Sequence, residues 1–184
     1  MDRQSTQGLG NALSPVAATP IATGEMMRSL GVRLKNPHSA GVDLSQADLV
    51  GANLQGMDLS HANLRGANLM GADLRDANLQ YAQLDRADLR SSNLQNAVLT
   101  GASLKDADLF NANLGAACLK QADLKRAYLF RADLHDSNLS NSDLRWANLR
   151  HANLTAACLD HANLAQADVR DAILQDTDLA HTHW

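Results

Sequence analysis

The chain has 184 residues, of which 45% are hydrophobic, 3% aromatic and 20% charged, with a formal net charge of −4. No apolar run is long enough to span a bilayer, and the weak negative charge argues against a general nucleic-acid binder. Leu and Ala number 31 each while Val and Ile total only 8, which on propensity alone suggests a helical bundle.

Residues 1–24 are rich in Ser, Thr, Gln, Gly, Ala and Pro and lack hydrophobic periodicity, so they read as a disordered tail. They carry neither the basic start nor the apolar core of a signal peptide. Thr23 is placed to cap a short helix through Glu25, Met26, Met27 and Leu30, ending at Gly31. Val32 and Leu34 fall in phase with the five-residue pattern that begins at residue 42, so residues 25–41 read as a capping helix and a degenerate first repeat. Met26, Met27 and Leu30 are the expected N-terminal cap, because a solenoid end exposes apolar core and unpaired edge.

From residue 42 to 181 the order of the residues overturns the helical expectation. Leu recurs every fifth position from Leu44 to Leu179, at 27 of 28 positions, with Val169 the exception. Two residues earlier stands Ala in 22 of 28 units, and the residue between is Asp or Asn in 21. A five-residue step advances about 140° beyond a full turn on an α-helix, so the leucines would spiral round its surface. In a straight strand the odd spacing would alternate them between faces. All leucines are buried together only if the chain turns by a fixed angle every five residues. Within a unit, Ala and Leu then point inward and the Asp or Asn outward. The last two residues of each unit, rich in Gly, Asn, Asp, Ser, Arg and Gln, form the corner.

The Ala-(Asp/Asn)-Leu-x-x unit over residues 42–181 resembles the pentapeptide-repeat protein family. That resemblance implies an all-β fold, a right-handed quadrilateral β-helix with four units per coil; the spacing alone gives only a closed turn. Seven coils of 20 residues would make a rod about 34 Å long. Its core of Leu beside Ala leaves no room for a cofactor, and none is expected. At the C-terminal end, residues 182–184, Trp184 is expected either to fold over the open core or to leave it free for end-to-end stacking of two copies. The expected state is a monomer or an end-stacked homodimer.

Some members of the family bind DNA gyrase or other type II topoisomerases by mimicking duplex DNA, which gives one reading of the function. A duplex of about 34 Å would show roughly 20 negative charges. The repeats here sum to −6, and ten of their twelve basic residues fall on two adjacent faces. Phe, which often replaces the central Leu in gyrase-protecting members, is absent from all 28 positions. The leading expectation is therefore a non-enzymatic, cytoplasmic rod that binds an unidentified protein partner, with no direct contact to nucleic acid or membrane. A further reading, a secreted effector with a flexible export segment, rests on the Ser/Thr-rich N-terminus.

Residues 20 apart fall in one column, and this arithmetic places both Phe residues outward on one face. Met70, Arg90, Phe110, Phe130 and Arg150 share that column with Val50 and Arg170, and Tyr128 lies beside it. Aromatics flanked by Arg are typical of interface hot spots, so Met70, Arg90, Phe110, Tyr128, Phe130 and Arg150 are the candidate interaction face. Cys118 and Cys158 share another column two coils apart, about 10 Å, too far for a disulfide. No catalytic residue is expected: the recurrent Asp answers the repeat's need for a short polar side chain that bonds local backbone. A zinc site from Cys158 and His161 has only weak spacing in its favour, and no metal is expected.

Overall fold

The computed structural model describes residues 41–184. The predicted tail and the capping residues Met26, Met27 and Leu30 lie outside the described residues. From Asp43 to His183 the chain pairs with itself at a constant offset of 20 residues, always in parallel, beginning with Asp43↔Asn63 and ending with Asn163↔His183. A turn follows every Leu position. Four units therefore close one coil, and the cross-section is four-sided. The bridges are isolated: each side contributes a single paired residue between two corners, not an extended strand.

Backbone hydrogen bonding explains the five-residue unit. Around Leu64, the Leu N–H donates to Gln83 O of the next coil at 2.7 Å, and Asn63 N–H donates back to Val42 O at 2.9 Å. At the corner, Gly66 N–H donates to Asp85 O at 2.9 Å, and Ala67 N–H donates to Leu64 O at 3.1 Å, closing a β-turn. That leaves one donor per unit, the N–H of the first corner residue. It is satisfied by the outward Asp or Asn: in all 21 units that carry one, its Oδ1 accepts from the N–H two residues on, at 2.9–3.4 Å. This Asx turn is the local reason for the Asp/Asn preference.

The second corner residue has positive φ throughout, from Gly41 to His181, the conformation a type II turn requires there. Inside the corners, every Leu from Leu44 to Leu164 is at least nine-tenths buried, stacked beside the Ala column. Three serines stand at Ala positions. Ser92 and Ser137 donate to Leu89 O and Leu134 O at 2.7 and 2.6 Å, whereas the buried Ser142 hydroxyl has no partner. The core opens at the C-terminal end, where Leu179 is 37% exposed and Trp184 61%. Trp184 stands in the Leu column one coil beyond Leu164, which is only 2% exposed.

Candidate protein-interaction face

The 20-residue offset places Val50, Met70, Arg90, Phe110, Phe130, Arg150 and Arg170 at the first corner position of one edge of the rod. Phe110 is fixed there by its own N–H, which donates to Asp108 Oδ1 at 3.0 Å. Tyr128 takes the wall position of the next coil, bridged to Asp108, where other units carry mostly Asp or Asn. The three rings form one stacked group. Phe110 and Phe130 lie 6.0 Å apart at 12°, Tyr128 and Phe130 6.0 Å apart at 7°, and Phe110 and Tyr128 6.4 Å apart at 17°. Such offset pairs contribute about 0.5–1.5 kcal/mol beyond the area they bury.

Cations surround this group. The Arg131 and Arg150 guanidinium carbons lie 5.4 and 5.9 Å from the Phe130 centroid, within cation–π range. His151 meets Phe130 edge-on at 5.2 Å. Arg150 Nε is buried and has no hydrogen-bond partner. Arg90 is held differently, by two bonds to Asp88 at 2.8 and 2.5 Å, and lies 3.8 Å from Asp108. The Arg90 hydrogen bonds keep the Asp88 carboxyl below its ordinary pKa, as those of Arg170 do for Asp168, lowered to about 2.

Of the six predicted residues, the structure thus gathers Phe110, Tyr128, Phe130 and Arg150 into one cluster. Arg90 is tied to the acids of that edge, and Met70 is 38% exposed further along the same column. The sequence reading missed Arg131 and His151. The same arithmetic gives their column but not their contacts with Phe130: Arg131 follows Phe130 at the corner, and His151 is 20 residues beyond Arg131. Elsewhere, Cys118 and Cys158 are free thiols in one column with Asn138 between them. Cys158 Sγ lies 3.3 Å from Ser140 Oγ and 3.7 Å from Asp178 Oδ2.

The adjacent corner carries a different surface. Arg65, Arg86, Lys105 and Arg126 line a groove of about 480 Å³ with Asp85 and Asp106. Arg126 binds Asp106 through two bonds of 2.6 and 2.8 Å, and Arg65 lies 3.2 Å from Asp85. Four cations against two carboxylates leave this groove net positive.

The family described as pentapeptide repeats matches the chain with 8 copies, over residues 31–66, 40–76, 67–106, 107–145 and 147–183. No curated protein matches the chain. Among solved structures, the chain is similar to a pentapeptide repeat protein, Rfr23, from the cyanobacterium Cyanothece 51142. The two are 26% identical, with 86% of this chain and 99% of that one covered and a TM-score of 0.48. It is similar to a pentapeptide repeat protein of the Arabidopsis thaliana thylakoid lumen, at 31% identity over 67% and 72% of the two chains, TM-score 0.28. It is also similar to QnrB1, a plasmid-mediated fluoroquinolone resistance protein, at 20% identity over 74% and 84%, TM-score 0.41. The repeat unit, its unbroken five-residue phase and the 20-residue pairing all agree with the family match: the chain belongs to the pentapeptide-repeat family.

Proposed function

We propose that this protein is a rigid, non-enzymatic rod of about seven right-handed coils that binds a protein partner through its aromatic edge. The observation that carries this reading is the Phe110–Tyr128–Phe130 group with Arg131 and Arg150 against it. Tyr128 is 40% exposed, so part of this apolar area faces water; Tyr81 and Trp146 are exposed singly elsewhere, whereas here three aromatic rings lie together. Aromatic and Arg side chains that are already ordered lose little freedom on docking, which favours binding. Two free cysteines are in keeping with the reducing environment of the cytoplasm, where we place the protein's action.

Duplex mimicry fits less well. A gyrase-type enzyme would meet, one corner away, the net-positive groove of Arg65, Arg86, Lys105 and Arg126, which opposes the polarity of a phosphate backbone. The test uses the full chain and its Phe110→Ala/Phe130→Ala variant, with circular dichroism showing that both keep the fold. Affinity capture from the native host is expected to recover a partner with the wild type and lose it with the variant. Retention of every partner by the variant would overturn the assignment of this edge. A supercoiling assay with purified gyrase, with and without a quinolone, is expected to show no effect; inhibition or drug protection would replace this reading with mimicry.

A further inference from the structure

A second constellation lies toward the C-terminal end of the rod, at the corner that follows the Cys118–Cys158 column. His161 and His181 occupy the same second-corner position one coil apart, with φ of 57° and 51°. His161 N–H donates to Ala180 O at 3.1 Å, so the coil spacing is fixed between them. Their imidazoles stack at 4.6 Å and 11°. Asp160, the first corner residue, turns its carboxylate toward both rings. Oδ1 lies 3.0 Å from His181 Nδ1 and 3.8 Å from His161 Nε2. One ligand atom from each of the three residues lies within 4.8 Å of the other two.

We propose that Asp160, His161 and His181 bind a divalent transition-metal ion of the Zn²⁺ class. Two imidazole nitrogens and one carboxylate oxygen form a donor set suited to such ions, with water completing the shell. Tetrahedral zinc at about 2.0–2.1 Å from its ligands sets neighbouring donors about 3.3 Å apart. The Asp160–His181 pair already stands close to that separation, and the His161 ring, stacked on His181 at 11°, turns out of the stack to aim its lone pair at the same ion. Its side chain is half exposed and that of His181 68% exposed, so each ring is packed on one face only and has open space in which to turn. The arrangement follows from the repeat itself: identical residues one coil apart are brought to the strand spacing, so a His repeated at 20 residues makes a ready pair. An ion here would clamp the last two coils at this corner and raise their stability by linkage.

Calorimetric titration of the full chain, carrying no histidine tag, with zinc chloride tests this. Saturable binding of one Zn²⁺ per chain is expected, together with a rise in melting temperature. The variants H161N and H181N keep a residue that tolerates positive φ and are expected to abolish both effects. D160N is expected to weaken binding. Absence of saturable binding by the wild type would overturn the site. So would wild-type affinity in either histidine variant, because the three groups would then be only a stacked, hydrogen-bonded cluster.

Discussion

At the scale of single residues, this fold is a problem of unpaired donors. Five residues per unit bring five N–H groups, and backbone carbonyls take only four. The outward Asp or Asn supplies the fifth acceptor. Where Ser103 replaces it, Asp85 of the previous coil accepts from both Lys105 N–H, at 3.3 Å, and the Ser103 hydroxyl. The recurrent Asp is legible in the sequence as a local backbone acceptor, because only a short polar side chain recurs there. The substitute at Ser103 is not legible, since it depends on which corner residue stands one coil before Lys105. The same accounting applies inside the core. Ser142 buries a hydroxyl with no partner, whereas Ser92 donates to Leu89 O. Ser142→Ala is therefore expected to stabilise the protein by about 1 kcal/mol or more. Ser92→Ala should gain nothing comparable, and denaturant unfolding of the two variants side by side checks the difference.

At the scale of the corner, backbone conformation decides. The positive φ of every second corner residue costs non-glycine residues roughly 1–2 kcal/mol each, yet Trp146, Tyr81 and several Arg accept it. The turns are legible from composition, but the handed conformation is not, because Gly stands at only six of these corners. Gly51, at φ +62° with open space around it, isolates the conformational term. Gly51→Ala is expected to lose about 1 kcal/mol. Gly101→Ala should lose more, because its Cβ would meet the Tyr81 ring at 2.6 Å and displace it; thermal unfolding of both separates strain from contact.

The corner charges add a dependence on pH. Asp73, Asp88 and Asp168 each lie two residues before an Arg whose hydrogen bonds lower the carboxyl below 3.8, for Asp168 to about 2. The folded state thus binds fewer protons than the unfolded chain there. This contribution is complete above about pH 4 and is lost as the pH falls toward 2. Melting temperatures measured down that range should fall more steeply for the wild type than for an Arg75→Gln/Arg90→Gln/Arg170→Gln variant. The arginines of these pairs are 43–71% exposed, so solvent screens the pairs and the difference should be small.

At the scale of the whole molecule, the rod is a one-dimensional stack in which each coil touches only its neighbours. The period of five is enough to exclude helix, straight strand and heptad, and it identifies the inward residues. The aromatic edge is legible for the same reason, because column membership is simple addition. What addition cannot supply is how side chains from adjacent columns lean together: Arg131 and His151 on Phe130, or Asp160 between two imidazoles. The stack also makes stability depend on position along the axis. Leu99 is fully buried between coils on both sides, while Leu179 is 37% exposed at the C-terminal end. Leu99→Ala removes side-chain contacts that its neighbours cannot replace, since the five-residue phase holds the walls at a fixed spacing. A loss of about 2–5 kcal/mol is expected. Leu179→Ala removes a side chain that already meets water and should cost a small fraction of that. Amide hydrogen exchange distinguishes the two further: Leu99→Ala should lower protection in the coils on either side of it, and Leu179→Ala only in the last. Equal effects from the two variants would mean that the coils unfold as one unit, not as a chain of nearest neighbours.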